Sequence, residues 1–116
     1  MQVNGKELEF DIFDAENAGK YEQAVKEVSV KMQALQKKDL TLSEGIRFQC
    51  EAVAGCFDSI FGPGTAARIF DGKVNLKLAL TAFEELITGV NSQKDELVSV
   101  TDSLLRAQAG KGTDRA

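Results

Sequence analysis

The chain has 116 residues, 43% of them apolar and 28% charged, with a net charge of −4, two cysteines and neither histidine nor tryptophan. That length suffices for one domain whose core needs no disulfide or metal, and the composition argues against global disorder. The acidic balance points away from nucleic acid, because the one cationic cluster, Lys37-Lys38, is offset by acids along the same helix.

Residues 2–13 predict a two-stranded ribbon: Asn4-Gly5 is a tight-turn signal, and Leu8, Phe10 and Ile12 share one face of an extended segment. Such a ribbon is marginal alone, so its apolar face must lie on helices or its edge must pair with another chain. Asp14 stands where an N-cap belongs. From there Ala18, Tyr21, Val25, Val28, Met32 and Leu35 recur at spacings of three and four, predicting a helix from Ala15 to Lys38 that is weakened near its start by Gly19. Asp39–Ser43 is a connector, with Ser43 the expected cap of a second helix whose seam is Ile46, Cys50, Val53, Phe57 and Ile60.

That helix ends at a corner. Gly62 can close it in the left-handed conformation, Pro63 cannot continue it, and Thr65 is expected to cap a short helix over Ala66–Phe70. Phe57, Ile60, Phe61, Ile69 and Phe70 flank the corner, too much apolar surface to leave in water when each side chain gains about 1.5–3 kcal/mol on full burial. Asp71-Gly72-Lys73 turns the chain, and Asn75 is placed to cap a last helix starting at Leu76. Leu80, Phe83, Ile87 and Val90 form its seam, widened by Ala79 and Leu86, and a kink is expected near Gly89 and Asn91-Ser92. Beyond them Leu97, Val98, Leu104 and Leu105 continue a sparser pattern, with Lys94 and Thr101 at seam positions, so the distal half is expected to be less buried and open to a partner. Residues 106–116 lack periodicity and predict a disordered tail. The elements add up to a mostly α fold: a helical bundle of three to four helices with a short N-terminal β-hairpin, one domain over residues 1–105.

Catalytic chemistry is hard to assemble here. The commonest general base and neutral metal ligand is missing, and neither cysteine has a histidine beside it. Cys50 and Cys56 are six apart and point to different sides of a helix, which predicts two free thiols and no shared metal site. Glu84-Glu85 and Asp95-Glu96 are adjacent on a helix and do not face one another. Gly62-Pro63-Gly64-Thr65 lacks the Lys-Ser/Thr ending and the preceding strand of a phosphate loop. The expectation is no enzyme, no cofactor and no metal. No apolar run reaches the roughly 18 residues that span a bilayer, and the first residues lack the basic start and apolar core of a signal peptide; a cytoplasmic protein without membrane contact is expected.

The opening VNGKELEFDIFDAE, the charged first helix and the stretch FDSIFGPGTAARIFDGKVNLKLALTAFEELI together resemble small proteins encoded in the tail modules of Firmicutes phages and prophages, similar to tail assembly chaperones and including families of unknown function. The resemblance is carried by Phe57, Asp58, Phe61, Gly62, Gly64, Thr65, Ile69, Phe70, Gly72, Asn75 and Leu76, and departs at Pro63, where an acidic or polar residue is expected. It implies a non-enzymatic protein in the bacterial host cytoplasm that binds the tape-measure or tail-tube protein and keeps it from premature aggregation. In some such proteins a longer form arises by frameshifting, for which Gly110-Lys111 would be a compatible place. Candidate partner-binding residues are Phe57, Phe61, Ile69, Phe70, Leu97, Val98 and Leu104, and a homo-oligomer is compatible with the sequence. The alternative is a structural tail or connector subunit whose ribbon edge pairs between copies. A secreted helical-hairpin effector ranks below both, since its Trp-x-Gly turn is missing.

Overall fold

The computed structural model describes residues 1–115, with side chains described through Ala109. It is a mostly α bundle with a short N-terminal hairpin: β1 (Gln2–Val3), β2 (Lys6–Glu7), α1 (Ala15–Leu35), α2 (Leu42–Phe61), α3 (Thr65–Phe70) and α4 (Leu76–Arg115). α1 and α2 lie side by side, and α4 packs against α2 on one side and carries β1 on the other.

Asn4 and Gly5 both have positive φ, 50° and 74°, the pair of conformations that a two-residue hairpin turn requires. β1 and β2 pair antiparallel, Gln2 with Glu7 and Val3 with Lys6. The ribbon is shorter than the expected 2–13. The Leu8 amide still donates to the Met1 carbonyl at 2.8 Å, and beyond it the backbone leaves the ribbon, with the Ile12 amide donating to Gln93 Oε1 and the Phe13 amide to Asp11 Oδ1, both at 3.0 Å. The apolar alternation still does its work, since Leu8 and Ile12 are buried and Phe10 sits edge-on to Phe61 and tilted against Tyr21. The turn is itself docked. Asn4 Nδ2 donates to the Ile69 carbonyl at 2.6 Å, the Asn4 amide to Glu85 Oε1 at 3.1 Å, and the Lys6 ammonium to Asp71 Oδ1 at 2.8 Å. With Lys6 also bonded to the Arg68 carbonyl, a cation closes the C-terminal end of α3, where helix carbonyls lack partners.

α1 ends at Leu35, three residues short of the expected Lys38, and Asp14 holds the N-cap position without a side-chain cap bond. α2 starts earlier than expected. Thr41, and not Ser43, is its N-cap: Thr41 Oγ1 accepts from the Glu44 amide at 3.2 Å while Glu44 Oε1 accepts from the Thr41 amide at 3.0 Å. This reciprocal pair satisfies two orphan donors where Ser43 would satisfy one, and it holds the Glu44 carboxyl below the usual carboxylate range.

The corner is built differently from its sequence reading as well. Gly62 has φ 109° and ψ 157°, extended with positive φ, a region only glycine enters readily, and Gly64 supplies the left-handed N-cap position at φ 90°. Thr65 is the first residue of α3, and its hydroxyl donates back to the Gly62 carbonyl at 2.7 Å. The acceptor for the first turn of α3 comes from the preceding helix: Asp58 Oδ1 takes the Ala66 amide at 2.9 Å. One carboxylate on α2 therefore fixes where α3 begins. Asn75 caps α4 as expected, its Oδ1 accepting from the Leu78 amide at 3.0 Å.

α4 runs unbroken through the expected kink at Gly89. The glycine serves a close approach instead: a Cβ there would come within 3.1 Å of Met1 Sδ. Of the expected loose tail, residues 106–109 continue the helix with exposed side chains, and Arg106 pairs with Asp102 at 2.8 Å. The side chains from Gly110 on, including Gly110-Lys111, lie outside the described residues.

Replacing Asp58 by alanine is expected to cost about 0.5–2 kcal/mol, the range for losing a helix cap, and more than replacing Thr65 by valine; urea denaturation of the three proteins checks the order. Cys56, whose thiol burial pushes up to about 12 with Glu27 adding to the shift, is expected to resist a disulfide reagent at pH 8 until the protein unfolds, whereas half-buried Cys50 reacts first. Equal labelling rates for the two cysteines in the native protein would contradict this packing.

Candidate functional site

Among the described residues no group of three or more histidines, cysteines or acids is close enough to hold a metal ion, and no helix is long and apolar enough to cross a membrane. A cleft of about 120 Å³ opens between α2 and the α3–α4 turn, lined by the apolar side chains of Ala54, Phe70, Val74 and Ala79 and by Arg47, Cys50, Glu51 and Lys73. Burial, with the Glu51 carboxylate beside it, raises the half-buried Cys50 thiol above its ordinary pKa, which disfavours the thiolate.

The corner residues proposed for partner binding lie within the monomer. Phe57 and Ile69 are fully buried, Phe70 is buried and Phe61 half-buried. Phe57 stacks on Phe61 at 6.2 Å between centroids and meets Phe70 edge-on at 6.0 Å. They are joined to one another by the core, because the Asp58 cap folds α3 back onto α2. A partner reaching Phe57 or Ile69 would first have to open the domain.

The distal residues have the opposite fate. On a helix turning 100° per residue, α4 carries two apolar lines side by side. The first, Ala79, Ala82, Leu86 and Val90, is buried on the body. The second, Leu76, Leu80, Phe83 and Ile87, is half-buried or exposed, although its larger side chains made it the expected seam. Small side chains at positions 79 and 82 let the α4 backbone come close to the body, with Ala79 beside Cys50 and Ala54 of α2, while Glu85, next to the buried line, and Gln93, which continues it, accept from the amides of Asn4 and Ile12. Those ties fix the rotation of α4 and leave the line of larger residues at the rim of the interface.

Beyond Gln93 only Leu97 is even half-buried among the described residues. Val98, Val100, Leu104 and Leu105 stand in solvent, at 66%, 46%, 64% and 63% exposure. Val98 and Leu105 prolong the half-exposed line, while Val100 and Leu104 prolong the buried one past the edge of the body. The result is an apolar strip running from Leu76 to Leu105, about 45 Å along the helix, interrupted by Lys94 and Thr101. Phe13, Val30, Leu42 and Val74 are also exposed, as single surface apolars commonly are. Leu97, Val98 and Leu104 were legible from spacing; Leu80, Ile87 and Val100 were missed as surface residues. The available signal was the parallel alanine-bearing line at 79 and 82, which marks the side of close approach.

Leu86→Ala is expected to destabilise the domain by about 2–5 kcal/mol, as removal of a fully buried leucine does. Leu105→Ala is expected to change stability by less than about 0.5 kcal/mol. Denaturant titrations at low protein concentration check both, and a large loss from Leu105→Ala would mean that the strip is covered within the monomer.

Neither the curated proteins nor the solved structures contain a match to this chain. A family model does match, over residues 4–114, from the hairpin turn through almost all of α4. The chain therefore belongs to DUF6673, a family of unknown function.

Proposed function

We propose that the protein is a non-enzymatic binding protein of phage or prophage tail assembly, chaperone-like in action, that holds the tape-measure or tail-tube protein in the bacterial host cytoplasm until the tail is built. The observation that carries this reading is the apolar strip of α4, whose distal residues Val98, Leu104 and Leu105 stand exposed, uncovered among the described residues. A continuous helix presenting apolar residues over about 45 Å is matched in length and chemistry to an amphipathic helix of a long tail protein, whose anchors would recur at the same three- and four-residue spacing. Covering such a helix withholds its apolar face from other copies, which is what delaying aggregation requires. The resemblance at the corner supplies the context of the tail module, and the buried corner supplies the rigid body from which the strip projects.

The alternative, a tail or connector subunit that pairs through its ribbon edge, has the narrower basis: each strand has two residues, and the Asn4 amide is already bonded to Glu85.

Affinity purification of the tagged chain from host cells in which the prophage has been induced tests the proposal. A long helical tail protein is expected to co-purify, with recovery falling at least tenfold for Val98→Asp, and the chain is expected to be absent from finished particles. Stoichiometric presence in purified particles would overturn the chaperone reading, and recovery unchanged by Val98→Asp would overturn the assignment of the surface.

A further inference from the structure

We infer that, in the absence of any other partner, the apolar strip of α4 is covered by a second copy of the same chain, the two α4 helices lying antiparallel. This does not rest on the tail-assembly reading.

Two parts of the strip are incompletely covered, for different reasons. Leu76, Leu80, Phe83 and Ile87 belong to the body but are left at the rim of its helix interface, while Lys94, Val98, Thr101 and Leu105 lie on the stretch of α4 that outruns the body. Both parts have the same length and the same spacing of four, three and four residues. That spacing reads the same in either direction, so an antiparallel register opposing Leu76 to Leu105 of the second copy also opposes Leu80 to Thr101, Phe83 to Val98 and Ile87 to Lys94. Each projecting stretch then lies along the other copy's body. A parallel pair would instead set stretch against stretch and rim against rim, forcing the two bodies to share one end of the dimer.

The charges suit the antiparallel register. Lys94 is the one cation in the strip, and opposite Ile87 it stands one helical turn from the second copy's Glu84, an exposed acid on the flank of the strip. Asp95 falls on the same flank at that level, so the Lys94 ammonium lies between two carboxylates that would otherwise repel. Lys77 comes within one turn of the second copy's Asp102, both of them exposed. The arrangement is isologous, with every contact made twice about a twofold axis near the middle of the helix, and it closes at two copies instead of growing into a fibre.

Sedimentation equilibrium of the full chain between low and high micromolar concentration tests the association. A monomer–dimer equilibrium is expected, with Val98→Lys weakening it more than tenfold because the contact is broken twice. Val98 is exposed, so this variant is expected to fold, which its far-UV circular dichroism verifies. Orientation is read by spin labels on Thr101→Cys in a background where Cys50 and Cys56 are replaced by serine and alanine. Antiparallel helices place the two labels about 30 Å apart along the axis, and parallel helices about 10 Å apart. A monomer at every concentration, a dimer indifferent to Val98→Lys, or a label separation of about 10 Å would each overturn the proposal, the first leaving the strip to a partner of another sequence.

Discussion

The rotation of α4 about its own axis decides what this protein shows to its surroundings. Packing the line Ala79, Ala82, Leu86 and Val90 against the body satisfies the core, and the same choice turns Leu80 and Ile87 toward the rim. A rotation of one residue, about 100°, would bury the larger line and expose the alanines. Two side-chain bonds on the ribbon side oppose that rotation: Glu85 to the Asn4 amide and Gln93 to the Ile12 amide. The bond to the neutral Gln93 amide is worth about 0.5–1.5 kcal/mol net and that to the Glu85 carboxylate about 1.5–3 kcal/mol. Breaking either also strands a half-buried amide, which raises the cost of turning the helix. The short ribbon is therefore less a sheet than a brace for α4.

The brace in turn depends on the corner. Asp58 sets the first turn of α3, α3 sets the position of the Ile69 carbonyl and of Asp71, and those groups receive Asn4 and Lys6 from the hairpin turn. The Lys6 ammonium holds the Asp71 carboxyl below its usual range, and that side chain sits on a residue with φ 50°, where the chain reverses toward α4. From the end of α2 to the start of α4, then, each element is located by a polar group of another, and the aromatic cluster of Phe57, Phe61 and Phe70 fills the space they enclose. This accounts physically for the residue pattern of the corner: the phenylalanines fill the core, Asp58 caps α3, the glycines adopt positive φ, and Thr65 bonds back across the turn.

Much of this was open to reading from the chain alone, and the failures have physical causes. Helix order and approximate limits followed from apolar spacing, and the Asn4-Gly5 turn and the Asn75 cap from local chemistry that needs no tertiary partner. The Thr41 cap was legible too, since Thr41 and Glu44 have capping-box spacing, but the nearer serine competed with it. Asp58 could not be read as a cap, because its acceptor role crosses from one helix to the next. Gly89 read as a helix breaker for the same reason: the Met1 side chain that needs its bare Cα is distant in sequence. The choice between the two lines of α4 was hidden most deeply. Size favoured Leu80, Phe83 and Ile87, and only the shape of the opposing helix made alanine the better neighbour.

The same structure gives the proposed function its form. A body locked by its corner holds one helix face out of its own core, and the side chains left outside that core form the surface to which the proposal assigns a partner. The central claim is that α4 changes character near Gln93, packed before it and uncovered after it. Amide hydrogen exchange of the dilute protein measures this residue by residue. Amides of residues 79–90 are expected to exchange orders of magnitude more slowly than those of 98–109, with the step between Gln93 and Val98; equal protection along the whole helix would contradict it.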